Sequence, residues 1–377
     1  MAGIYFHIPF CQSRCIYCDF FSSTSMKEKE QYVDVLCKEL QNRKDYLQGQ
    51  SIQTIYFGGG TPSQLTAKDF DKIFKTLTTL FPLEEVNMEI TLEANPDDIT
   101  SEYLSSIKHL PFNRVSLGIQ SFNDKELTFL NRRHNAQSAV NAVKRLQQDG
   151  FDNISIDLMY GLPGQSMDTW KKNLKESIAL DVQHLSAYHL IYEEGTRLFD
   201  LQEQGLIHPV EEELSVRLFE TLIDTLCKAG FEHYEISNFA KSGFRSKHNS
   251  SYWNGTHYLG IGASAHSYNG ISRQWNKQVH GALYIEYEPE YEPINKTTAY
   301  NDFVITCLRT KEGINIGELL SFFGKENKKY CLDQARKHLD NQLLEIEDNQ
   351  LKLTRQGIFV SDGIMSDLMI IPDYEKK

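Results

Sequence analysis

Between Gly3 and about Leu190 the chain repeats one pattern six times, a short apolar run followed by a longer amphipathic stretch. The short runs, at residues 4–8, 54–57, 88–93, 114–118, 155–158 and 184–189, are rich in β-branched and aromatic residues, as strands are. Helical periodicity fills 27–46, 66–80, 101–108, 136–148 and 168–180, and a further helix at 211–228 precedes an apolar segment around 234–236. Strands that alternate with helices in this way form a parallel sheet with right-handed crossovers. The expected architecture is therefore α/β, a partial (β/α)6 TIM-like barrel.

Downstream the texture changes. Gly, Ser, Asn and aromatic residues dominate from about Phe239 to Asn269 and read as an ordered loop region. From about Ala299, helices at 301–308, 316–323 and 332–340 precede a hairpin, 343–347 and 351–354, which suggests a small winged-helix-like α+β domain. The expected divisions are a core at 1–238, a connecting region at 239–298 and a C-terminal domain at 299–377. A length of 377 residues accommodates one large core and an appendage. With a net charge of -12, bulk attraction to nucleic acid or anionic membrane is not expected, and no basic helix marks a DNA-reading face for a transcriptional regulator. No apolar run is long enough for an integral membrane segment, and the N-terminal stretch, broken by His7 and Pro9, does not resemble a signal peptide. Of seven cysteines, Cys37, Cys227, Cys307 and Cys331 are scattered singly and three crowd together, which suits a reducing cytoplasm and a metal site better than disulfides.

Polar residues recur where the strands end. Cys11 follows the first, Gly58-Gly59-Gly60-Thr61-Pro62 the second, and Glu93-Ala94-Asn95-Pro96 closes the third. Gln120-Ser121-Phe122 follows the fourth, and Asp157 lies near the end of the fifth. Barrel enzymes place their chemistry at these carboxyl ends. The crowded thiols, Cys11-Gln12-Ser13-Arg14-Cys15-Ile16-Tyr17-Cys18, have the spacing C-x3-C-x2-C. Thiolates hold iron–sulfur clusters, and four normally complete a cubane. A zinc site with a nearby His or Asp, or unliganded thiols, are the alternatives; zinc motifs usually come as two separated pairs, which this chain lacks. A [4Fe–4S] cluster on Cys11, Cys15 and Cys18 is the favoured reading. Gly260-Ile261-Gly262-Ala263-Ser264-Ala265 mimics a dinucleotide fingerprint but does not open a βαβ unit, so tight packing explains it better.

Taken together, these motifs resemble the radical S-adenosylmethionine enzymes. His7-Ile8-Pro9-Phe10-Cys11, the Gly58–Pro62 run, Glu93-Ala94-Asn95-Pro96, Gly118-Ile119-Gln120-Ser121-Phe122 and Asp157-Leu158-Met159-Tyr160-Gly161-Leu162-Pro163 resemble one branch, over nearly the whole chain. It contains oxygen-independent coproporphyrinogen III dehydrogenase and the HemW haem chaperones. The resemblance implies that the open iron of the cluster chelates the amino and carboxylate groups of S-adenosylmethionine, whose sulfonium one electron can cleave. On matching positions it implies that Gly59 and Gly60 allow close backbone approach, Thr61 adds a hydroxyl, and Gln120 donates and accepts. Glu93 and Asp157 would accept from the ammonium or ribose, and Arg132 would donate to the carboxylate. Tyr5 and Tyr17 would flank the cluster and limit water.

His248-Asn249-Ser250-Ser251-Tyr252-Trp253 matches the H-N-x-x-Y-W signature of the HemW branch, which makes His248 a candidate haem ligand or positioning group. Tyr252 and Trp253 would pack on the macrocycle, and Lys241, Arg245 and Lys247 would pair with propionates. His266 is a lesser haem candidate, with a structural role the simpler explanation. Two functions follow: a haem chaperone that hands haem to an acceptor, or a dehydrogenase that decarboxylates the propionates of coproporphyrinogen III. The dehydrogenases carry a further cysteine two positions after the last cluster ligand, where this chain has Phe20, and a long extension before the tyrosine that matches Tyr5. Both departures favour the chaperone. The family suggests a membrane respiratory complex as haem acceptor and a ferritin-like store as donor, with any membrane association peripheral.

Overall fold

All six expected strands form in the computed structural model, which describes residues 1–84, 86–279 and 281–371, with only the backbone described at 281–283. The last six residues of the expected C-terminal domain, 372–377, lie outside the described residues. In chain order come β1 (Ala2–Ile8), α1 (Lys29–Asn42), β2 (Ile52–Gly59), α2 (Ala67–Leu80), β3 (Glu89–Ala94), α3 (Ser101–Ile107) and β4 (Arg114–Gln120). Then follow α4 (Asp124–Phe129), α5 (Ala136–Gln148), β5 (Ile154–Tyr160), α6 (Met167–Ala179), β6 (His184–His189), α7 (Arg197–Glu203) and α8 (Glu212–Lys228). The helix starts obey local chemistry: Thr66 and Asp69 form a capping box at α2, Asn135 and Ser138 another at α5, and Ser166 caps α6. Within this part of the chain, the short α4 and α7 are additions to the expected helices.

β1 to β6 lie side by side in sequence order, each parallel to the next. Their residues alternate in an unusual sense. Ile4, Phe6, Ile8, Ile55, Phe57, Ile90, Leu92, Val115, Leu117, Ile154 and Ile156 are fully buried against the helices and make the main core. The intervening side chains are polar and meet across the interior: Tyr56 reaches Glu93, Thr54 reaches His248, and Ser155 reaches His184. TIM-type barrels usually fill their centre with branched aliphatic residues. Here the centre is a hydrogen-bonded polar lumen.

The region read as ordered loop belongs to the main sheet. β7 (Glu232–Glu235) and β8 (Asn238–Ala240) add antiparallel beyond β6. α9 (Lys247–Trp253) leads to β9 (His257–Ile261), which pairs parallel with β1, and β10 (His266–Tyr268), β11 (Ser272–Trp275) and β12 (Glu290–Pro293) extend that edge. Gly260 and Gly262 serve the tight packing expected of them: a Cβ on Gly260 would collide with the His266 carbonyl oxygen, and Gly262 takes a φ of +105°.

The remaining elements are α10 (Lys296–Leu308), β13 (Ile314–Asn315), α11 (Ile316–Asp340), β14 (Leu344–Glu347), β15 (Gln350–Leu353), α12 (Arg355–Ile358) and α13 (Ser361–Leu368). Gly324, at φ 82° and ψ 179°, breaks α11 into the two helices expected there. With the three-stranded sheet β13-β15-β14 they enclose a separate core around Tyr300, Val304, Leu319 and Leu351, the winged-helix-like arrangement expected from the sequence.

Candidate functional site

The loop after β1 carries the three cysteines, and its neck is pinned by two bonds, Cys11 N–H to Ser23 O at 2.9 Å and Ser23 N–H to Pro9 O at 2.6 Å. Its far side is held by the α4–α5 turn and by α7. Ile16 N–H donates to Leu130 O (3.3 Å), Leu198 N–H to Ile16 O (2.8 Å), and the Asn131 amide to Arg14 O (2.8 Å). Thus anchored, Cys11, Cys15 and Cys18 line one cavity of about 430 Å³, together with Tyr17, Gly59, Gly60, Thr61, Glu93, Gln120, Arg132 and Asp157. Residues separated by up to 146 positions meet because parallel strands bring the loop after β1, the ends of β2, β3 and β4 and the middle of β5 together, and the α4–α5 turn carries Arg132 back over them.

Each of these side chains has a physical reason for its place. A Cβ on Gly60 would lie 2.8 Å from Ile8 O and 3.1 Å from Cys11 Sγ, so the β2 turn can pass the cysteine loop only as glycine. The Thr61 hydroxyl donates to Cys11 Sγ at 3.3 Å and Arg132 Nη1 to Cys15 Sγ at 3.3 Å. Burial pushes the Cys11 thiol up, countered first by Thr61 and then raised again by Cys15; burial likewise lifts Cys18 to about 11. Bound iron is what would make such thiols thiolates. Among the described residues no three Cys, His, Asp or Glu side chains converge as ligands of a single ion would. A cubane asks for something else, one thiolate for each of three irons, and the loop offers three.

The opposite wall is acidic. Glu93 accepts from the Tyr56 hydroxyl at 2.6 Å and from Gly59 N–H at 3.2 Å; burial nevertheless raises its carboxyl to about 7. Asp157, bonded by the Ser116 hydroxyl, is raised to about 6, again chiefly by burial and against the pull of Arg114. A cation placed between them would restore both charges. Gln120 sits at a register shift between β4 and β5 with a φ of +68°, and its buried Oε1 has no partner among the described residues. An amide held in a strained backbone with a free acceptor suits a ligand. Arg132 also donates to Gly118 O, which leaves its buried Nε without a partner.

Three expectations change. Tyr5 does not flank the cysteines; it lies deeper in the lumen, its ring stacked on Tyr56 and His248 with centroids 6.1 and 6.3 Å away. His248 is 1% exposed, and both its ring nitrogens are engaged, Nδ1 with Thr54 Oγ1 at 2.8 Å and Nε2 with the Tyr252 hydroxyl at 3.0 Å. It adjoins Gly3 near the start of β1, five residues from Ile8 and thus about 16 Å from the cysteine end of that strand. As folded here it offers no nitrogen to a haem iron. The basic residues beside it are also committed: Lys241 to Asp181, Arg245 to Glu232 and Glu312, and Lys247 Nζ to Asn87 O. His266 stacks on Trp275 away from the cavity. Sequence reasoning missed Arg114, 1% exposed in the lumen, and Tyr188 and Ile191 at the cavity mouth. Arg114 was legible as an inward position of the β4 alternation.

The Radical SAM superfamily profile matches residues 5–176, and the HemN C-terminal domain profile matches 294–360. The heme chaperone HemW of Lactococcus lactis is 33% identical over 373 residues, 97% of each chain, and that of Bacillus subtilis is 36% identical over 277 residues, 73% of each. Among solved structures, coproporphyrinogen III oxidase (HemN) from Escherichia coli superimposes with a TM-score of 0.85 at 21% identity, covering 97% of this chain and 89% of that one. The last likeness concerns the fold alone.

Proposed function

We propose that this chain, a member of the HemW family within the radical S-adenosylmethionine superfamily, binds haem and passes it to an acceptor protein, using a [4Fe–4S] cluster and S-adenosylmethionine. Cys11, Cys15 and Cys18 hold the cluster, and Thr61 and Arg132 stabilise the sulfurs. Glu93 and Asp157 take the ammonium or ribose hydroxyls, Gln120 orients the ligand through its free amide oxygen, and Arg132 meets the carboxylate. When bound, the cluster supplies the single electron that sulfonium cleavage requires. The acceptor is proposed to be a respiratory complex at the membrane, met peripherally, and the donor a ferritin-like store. No helix among the described residues is long and apolar enough to cross a membrane. Seven unpaired thiols support a reducing cytoplasm as the place of work.

One observation favours the carrier over the coproporphyrinogen dehydrogenase. Of the seven cysteines, Cys11, Cys15 and Cys18 are those that line the cavity; Phe20 stands on its rim where the dehydrogenases have a further cysteine. Anaerobic reconstitution tests the choice on one sample, by haem titration and by coproporphyrinogen turnover. Haem uptake without turnover is expected. Turnover to protoporphyrinogen would reverse the assignment.

A further inference from the structure

The cavity divides into two chemistries. Its interior is lined by thiols, carboxylates, an amide and a guanidinium, and about 430 Å³ is the size of a site for one small molecule. Its rim, beside Asp19 and Glu193, carries exposed apolar side chains: Phe20 from the cysteine loop at 62%, Tyr188 near the end of β6 at 42%, and Ile191 from the segment leaving β6 at 63%. Those two segments are tied together through the Leu198–Ile16 bond and through shared packing of Ile16 and Tyr17 with Leu190. Large apolar side chains left in water around a polar cavity mark a binding face. Arg14 stands on the same rim. It donates to the Cys18 carbonyl oxygen at 3.3 Å and, among the described residues, makes no ion pair, whereas Lys241 and Arg245 both do.

We infer that haem lies flat over the mouth of the cluster cavity, its macrocycle against Phe20, Tyr188 and Ile191 and a propionate at Arg14, and that His248 serves the barrel floor instead. The inference rests on the haem-carrier reading and gives that cargo its seat. A flat apolar disc with an anionic edge fits exposed apolar side chains beside Arg14, a guanidinium with no ion pair among the described residues, the propionate turned from Asp19 and Glu193. It does not complement the charged interior, nor a histidine enclosed by Thr54, Tyr56 and Tyr252. Haem placed there covers S-adenosylmethionine, so loading one ligand slows escape of the other.

The test uses the full chain, reconstituted with its cluster. Haem is titrated by Soret difference spectroscopy into wild type, Ile191→Asp, Phe20→Asp, Arg14→Gln and His248→Gln. Ile191→Asp and Phe20→Asp are expected to weaken haem about tenfold or more, a charge having replaced an apolar contact. Arg14→Gln weakens haem but leaves haem dimethyl ester, which lacks the propionate charges, bound as in wild type. Iron content and visible absorbance of the cluster report on folding of each variant, and release of labelled S-adenosylmethionine slows when haem is added. Unchanged haem affinity in both aspartate variants, with loss in His248→Gln, would overturn the seat and leave the carrier reading standing. Wild type that takes up no haem would instead defeat the carrier reading.

Discussion

Glu93 and Asp157 are acids whose ionisation the barrel that buries them delays to higher pH. Their carboxyls are raised to about 7 and about 6, and Arg114 opposes the rise in both. In the ligand-free chain this is a stabilisation fully present below the unfolded carboxyl range and lost as pH climbs through 6 and 7. Binding has the opposite sign, because a cationic ligand needs the ionised forms. S-adenosylmethionine affinity is therefore expected to rise with pH between about 5.5 and 7.5, by up to about tenfold per unit for each proton released. Calorimetry across that range measures it. Glu93→Gln should flatten the upper part of the profile, and Arg114→Met should move the midpoint upward; a profile that is flat in wild type would refute the coupling. Sequence alone identified both carboxylates, but not their protonation, which depends on how deeply the folded barrel buries them.

The carboxyl end of β2 and the turn after it carry two duties. Outward-facing Phe57 stacks on Phe6 at 4.7 Å and meets Phe70, Phe74 and Phe112 edge-on, so it ties the sheet to α2. Phe57→Ala should cost about 3–5 kcal/mol in denaturant unfolding, as buried aromatic truncations do. In the turn, Gly60 passes beneath Cys11 with no space for a side chain. Gly60→Ala is expected to leave the fold intact but lower iron content after reconstitution, since the methyl group displaces the Cys11 thiol or the Ile8 carbonyl. Normal cluster loading in that variant would show the contact to be slack. α9 illustrates the opposite case, a motif whose chemistry did not reveal its place. Its first N–H groups, from Lys247 and His248, are received by the Glu89 carboxylate at 3.0 Å each, and this seats His248 in the lumen. Glu89 is 158 residues upstream of Lys247, beyond the reach of any local signal.

The barrel and the C-terminal domain meet through charge as well as packing. Glu232 binds Arg245 within the barrel and Lys311 across the junction; Arg245 reaches Glu312, and Arg355 reaches Asp224. Phe359 adds an edge contact to Phe219 at 5.3 Å. Hydrogen bonds from Arg245 hold the Glu232 carboxyl down at about 2. A depressed carboxyl stabilises above its unfolded range, so the junction should weaken as pH falls from about 5 towards 2. Glu232 is 34% exposed, and solvent screening keeps the effect to about 1 kcal/mol or less. Limited proteolysis near residues 286–296 should accelerate on acidification in wild type and less so in Glu232→Gln; equal rates at pH 7 and pH 3 would rule the junction out as an acid-sensitive joint.

The order of elements, the crowding of three cysteines in one loop and the polar residues at the strand ends were legible in the sequence, because each rests on local physics: strand and helix periods, thiol spacing, and polar residues where strands end. Gly324 even divided its helix where the pattern predicted. What tertiary structure decided is where distant groups come to rest. The glycine-rich segment after Phe239 becomes sheet because β1 offers it an edge, Tyr5 turns inward with the strand alternation, and His248 is drawn into the lumen by Glu89 and Thr54. Phe20, a single substitution in the sequence, becomes part of an exposed rim only when the chain leaving β6 brings Ile191 to the same cavity. Pairing and burial across more than 100 residues carry no local signature, so these placements wait on the fold.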